Sequence, residues 1–118
     1  MKKIKLEKVS HSEVVALQSI CQDYNRSLTI RLKPQLSVLY FETILYVDVL
    51  VKLVLFFRTK IENNRDTHNF SVTISQAVIL LYSCQQTINL YCVDPRNEYL
   101  YHIAEKYKNL LDQKLKSI

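Results

Sequence analysis

The stretch LSVLYFETILYVDVLVKLVLFF, Leu36–Phe57, decides how the fold is read, because its only formal charges in 22 residues are Glu42, Asp48 and Lys52. That length can span a bilayer. At a bilayer centre each charge costs about 2.5–3.5 kcal/mol, while each Leu, Ile, Val or Phe returns roughly 0.3–0.6 kcal/mol. Three charges therefore cancel the aliphatic gain, although Asp48 and Lys52, four residues apart, can soften the cost by pairing. Three further segments have apolar helical faces that need a partner, as in a soluble core. No membrane partner is expected.

Pro34 suits a first helical turn, and nothing breaks the helix until about Glu62. On a helical wheel Ser37, Asp48, Lys52 and Thr59 share one narrow sector, and apolar residues fill most of the rest. Such a helix is buried on most sides. Either the other helices wrap it or a second copy covers part of it. A large apolar surface is unusual on a monomer, so the pattern predicts a homodimer.

Working outward, Ser10-His11-Ser12-Glu13 has the form of a capping box, in which each end residue satisfies the other's backbone amide. The seam Val14, Leu17, Cys21, Tyr24 and Leu28 predicts a helix from there to about Arg26. Residues 3–9 alternate weakly and read as a short edge strand or an ordered tail. Residues 28–32 are strand-like and lead into Lys33-Pro34, where the residue before proline favours extended backbone. A polar loop covers 62–69, and residues 70–74 again alternate as a strand. Ser75 can cap a third helix reaching about Cys92, and Asp94-Pro95 opens a fourth. That last helix places Leu100, Ile103, Tyr107 and Leu111 on one face, with Glu98, His102, Lys106 and Asp112 opposite.

Residues 28–40 also echo residues 70–82 at an offset of 42, with Leu39/Leu81 and Tyr40/Tyr82 identical. The echo implies a strand-into-helix unit used twice, its strands pairing with residues 4–9 as a further member. The alternative is coincidence among apolar residues, and the match is too short to name a repeat architecture. The expected fold is mainly α over a single domain, 1–118. It is a four-helix bundle-like arrangement around a long central apolar helix, with a small accessory sheet from residues 28–32 and 70–74.

Composition narrows function mostly by exclusion. With 48% hydrophobic and 23% charged residues the chain is globular rather than disordered. It contains no glycine, so phosphate-cradling loops, dinucleotide fingerprints and nucleophile elbows are absent as motifs. The opening strand and the capped helix with Glu13, Val14, Val15, Ala16, Leu17 and Gln18 resemble the start of acetyl-CoA-dependent N-acetyltransferases. That family's acetyl-CoA loop needs glycine, so the activity does not carry over. His11, His68 and His102 lie far apart with no dense metal spacing. Glu42 and Asp48 point about 120° apart on one helix and do not converge as a catalytic pair. No enzyme activity, cofactor or metal is expected. Cys21, Cys84 and Cys92 lack CxxC spacing and read as small core residues in a reducing compartment. The basic start is followed by no apolar signal region, and a cytoplasmic location is expected.

The expected function is non-enzymatic protein–protein interaction, as a homodimeric accessory or regulatory module. A net charge of +5 allows an anionic partner, so a nucleic-acid-binding regulator is the alternative. Tyr24, Tyr40, Tyr82 and Tyr107 are expected in the core. Tyr99 and Tyr101, which flank the start of the fourth helix, are candidate contact residues. Lysines 106, 108, 114 and 116 form one basic group, read as a solvated face. Lys2, Lys3, Lys5 and Lys8 form a second group, and Arg26, Arg31 and Lys33 a third. If these two lay side by side on the small sheet, they would make a phosphate-binding face.

Overall fold

The computed structural model describes residues 2–31, 38–91 and 98–118, with the side chain of Arg31 outside that description. Six elements follow one another: β1 (Lys3–Ser10), α1 (His11–Arg31), α2 (Val38–Glu62), β2 (Thr67–Thr73), α3 (Ile74–Tyr91) and α4 (Glu98–Leu115). The fold is mainly α with a small two-stranded antiparallel sheet, as expected. The strands in that sheet are β1 and β2. Residues 28–31, expected to be a strand, instead close α1 as helix, and Leu32 and Lys33 lie outside the described residues. Thr29 donates its hydroxyl to the Asn25 carbonyl four residues back, a bond that suits the helical turn.

Strand–helix–helix occurs twice in order, and both strand-to-helix junctions are built alike. The Ser10 amide donates to the Glu13 carboxylate while the Glu13 amide donates to the Ser10 hydroxyl. The Thr73 amide donates to the Gln76 side chain, and the Gln76 amide to the Thr73 hydroxyl. These are reciprocal capping boxes 63 residues apart, so the third helix is capped by Thr73 and not by Ser75. At that offset Val9/Val72, Ser12/Ser75, Val15/Val78, Leu17/Leu80, Cys21/Cys84 and Gln22/Gln85 are identical. A strand-into-helix unit therefore occurs twice at an offset of 63 residues, whereas the echo at 42 sets the helical residues 28–31 against β2 and does not correspond to a repeated unit.

Tertiary packing follows the same doubling. Helices α1 and α3 meet at the centre, α2 packs mainly on α1, and α4 mainly on α3. The strand register is nearly symmetric as well, with Ser10 facing Thr67 at one end and Thr73 facing Lys3 at the other. The core joins Ile4, Leu6 and Val9 of β1 to Leu17, Ile20 and Cys21 of α1 and Leu80 and Cys84 of α3. Phe56 and Phe57 of α2 pack edge-on against Phe70 of β2, with ring centroids 5.4 and 5.8 Å away.

The sheet contains one irregularity with a clear cause. Leu6 pairs with Phe70 and Val9 with His68, so Glu7 and Lys8 together oppose Asn69. Strict alternation after Ile4 and Leu6 would turn Lys8 inward. The bulge shifts the phase, so that Val9 is buried and Lys8 is exposed. Lys8 adopts a left-handed backbone, φ 54°, and its amide donates to the Asn69 side-chain oxygen at 2.8 Å. A side chain with a Cβ is disfavoured there. Lys8→Gly is expected to raise stability by about 0.5–1 kcal/mol, and Lys8→Val to lower it by more. Urea midpoints at constant m measure both, and an unstable Lys8→Gly would refute the strain.

The long apolar helix is not central. Only Leu50, Leu53 and Phe57 of α2 are fully buried, and the helix lies on the outside of α1. Among the described residues no helix is long and apolar enough to cross a membrane.

Candidate interaction surface

Among the described residues, a densely bonded polar cluster sits where α1 begins. The Glu13 carboxylate accepts from the Ser10 amide at 3.0 Å, the Tyr107 hydroxyl at 3.0 Å and the Lys106 ammonium at 2.6 Å. Burial pushes the Glu13 carboxyl up, but the bonds from Lys106, Ser10 and Tyr107 outweigh it and hold the group below the ordinary carboxylate range. Burial, together with the adjacent Glu13 charge, keeps Tyr107 protonated. Both Glu13 carboxylate oxygens accept from protein donors, and through Lys106 and Tyr107 the cluster ties α4 to the α1 terminus. The Ser10–Glu13 box is legible in the sequence; its partners on α4 are not.

His11 and His68 approach to 3.4 Å between ring nitrogens, close enough for one neutral ring to donate to the other. Burial, then the nearby His11, Lys60 and Arg65, lower the His68 pKa. Among the described residues no group of three His, Cys, Asp or Glu could hold a metal ion. Cys21 and Cys84 are buried thiols, Cys21 pushed up to about 12 by burial and Cys84 higher still.

The expected contact residues are scattered over several elements. Lys2, Lys3, Lys5 and Lys8 are exposed at and before β1. Arg26 is exposed on α1 beside Asp23, while Lys33 and the Arg31 side chain lie outside the described residues. The strand that was to carry Arg31 into the sheet is helix, so the sheet holds only the first basic group. The last basic group reaches it instead: the Lys114 ammonium donates to the Lys5 carbonyl at 2.9 Å, beside Lys3. Tyr99 is exposed and donates its hydroxyl to Ser12 at 3.0 Å, whereas Tyr101 is half-buried and edge-on to His102. Of the tyrosines expected in the core, Tyr107 is buried, Tyr24 and Tyr40 are half-buried, and Tyr82 is exposed against Tyr46.

The largest anomaly is the outer face of α2. Phe41, Leu45 and Leu55 are 52%, 64% and 54% exposed, and Ile44 and Val51 are exposed beside them. Asp48 and Lys52 lie in the middle of this face and pair with each other at 3.1 Å. Its counterpart in the repeat, α4, exposes Glu98, His102, Glu105, Lys106 and Asn109. Two helices in equivalent places thus differ, α4 exposing mostly charged and polar residues and α2 the Asp48–Lys52 ion pair flanked by apolar side chains. An open groove of about 520 Å³ continues the α2 face toward α1, lined by Asn25, Arg26, Ile30, Val51 and Leu55. The Asn25 side-chain oxygen is buried without a hydrogen-bond partner. The wheel shows Asp48 and Lys52 sharing a sector, but it cannot show that the sector and its apolar flanks face outward.

No protein-family model, curated protein or solved structure matches this chain.

Proposed function

We propose that this protein is a non-enzymatic cytoplasmic interaction module that acts as a homodimer through the outer face of α2. The observation that carries the reading is the contrast between the two outer helices. In the same molecule α4 meets solvent with charges, while α2 exposes Phe41, Leu45 and Leu55. Apolar patches of this extent mark surfaces that are covered in use. Aromatic and aliphatic anchors at the centre of such a patch carry most of an interface's energy.

Sedimentation equilibrium on the whole chain tests this directly. A compact dimer is expected at micromolar concentration, and Leu55→Asp is expected to give a monomer of unchanged helix content by circular dichroism. A wild-type monomer throughout that range would overturn the reading. Should that monomer then bind oligonucleotides with affinity falling as salt rises, the function moves to the basic group of Lys2, Lys3, Lys5, Lys8 and Lys114.

A further inference from the structure

We infer that two copies meet through antiparallel α2 helices, about a dyad level with the midpoint between Asp48 and Lys52, each copy's Asp48 beside the other's Lys52. This inference rests on the self-association reading and specifies its geometry. Along the outer face the order is Leu45, Asp48, Lys52, Leu55, an apolar residue at each end and two opposite charges between. Rotated end for end, the pattern is its own complement. Asp48 meets Lys52 twice, and Leu45 stands level with the second copy's Leu55. The Asp48–Lys52 ion pair of 3.1 Å in each copy becomes part of a ring of four alternating charges flanked by aliphatic side chains.

A parallel pairing would set Asp48 against Asp48 and Lys52 against Lys52. Like charges facing each other at an interface repel, so charge alone selects the antiparallel sense. An isologous contact also closes on itself and leaves no second apolar face open. A foreign partner would need the same alternation of charge at the same spacing, whereas a second copy carries it already.

Cysteine cross-linking reads the geometry. Leu45→Cys and Leu55→Cys are made separately in a Cys92→Ser background; Cys21 and Cys84 are buried and their thiols held protonated. In the antiparallel dimer the two Leu45 positions lie about 15 Å apart along the helix axes, beyond disulfide reach. A mixture of the two variants is expected to form the mixed disulfide under mild oxidation, and Leu45→Cys alone to form none. Asp48→Lys is expected to weaken self-association about tenfold or more, and mixing it with Lys52→Asp to restore it. A disulfide from Leu45→Cys alone would mean a parallel pair and overturn the register while leaving self-association intact. A wild-type dimer that gives no cross-link in any combination would move the interface off α2. A monomer at every concentration would overturn this geometry and the dimer together.

Discussion

Glu13→Ala is expected to lower the unfolding free energy by about 3 kcal/mol at neutral pH. The substitution keeps the Ser10 hydroxyl as cap but removes the carboxylate half of the box, a hydrogen bond worth about 0.5–1.5 kcal/mol, and leaves the buried Tyr107 hydroxyl without its acceptor, a further 1–3 kcal/mol. The Lys106 contribution is small, because that ammonium is more than half exposed and solvent screens it. The effect also has a pH signature. Glu13 titrates below the ordinary carboxylate range when folded, so its charge adds stability that is complete above its unfolded pKa. That stability is lost as pH falls through the folded pKa. Urea titrations from pH 7 down to pH 3 should show the wild type converging on Glu13→Gln as acid is added. A constant gap between the two across that range would refute the depressed pKa.

Phe57→Ala is expected to cost about 3–5 kcal/mol, the range for truncating a fully buried aromatic. Phe57 lies edge-on to both Phe56 and Phe70, so it fixes α2 to the sheet as well as filling the core. In a chain of this size the loss corresponds to a Tm lower by roughly 12–20 °C. Leu55→Ala, two residues away on the opposite face, serves as the internal comparison. As a monomer it should change stability by less than about 1 kcal/mol, because its side chain is already in water. Calorimetry on the two variants reads the difference, and equal losses would mean that α2 is turned differently from the arrangement described.

Both predictions concern features that were only half visible in the sequence. The Ser10–Glu13 box was legible because a cap is local, its donors and acceptors three residues apart. Tyr107 and Lys106 lie more than ninety residues further on, and nothing in their spacing points back to Glu13. The helices are legible by period, but residues 28–31 close α1 where the sequence favours a strand, since Leu28 and Ile30 alternate as well for a strand as for the end of a helix. The true partner strand was obscured by its own bulge, which breaks alternation at Lys8. Matching apolar runs aligns residues 28–40 with 70–82 at an offset of 42 residues. Matching capping boxes, Ser10 to Glu13 against Thr73 to Gln76, finds the offset of 63. The outer face of α2 was the least legible feature, because a helix apolar around most of its circumference does not record which side its neighbours take.

The pairing of β1 with β2 also governs how the chain must assemble. Neither strand has a hairpin partner beside it, for Lys3–Ser10 bonds only to Thr67–Thr73, across two intervening helices. The helices can form early from local contacts, but the sheet must wait for a loop of more than fifty residues to close. Each capped helix therefore begins from a strand that is unpaired until the other half arrives. The two halves mature together, and the open strand edges of each are the most aggregation-prone surfaces the chain exposes before they meet.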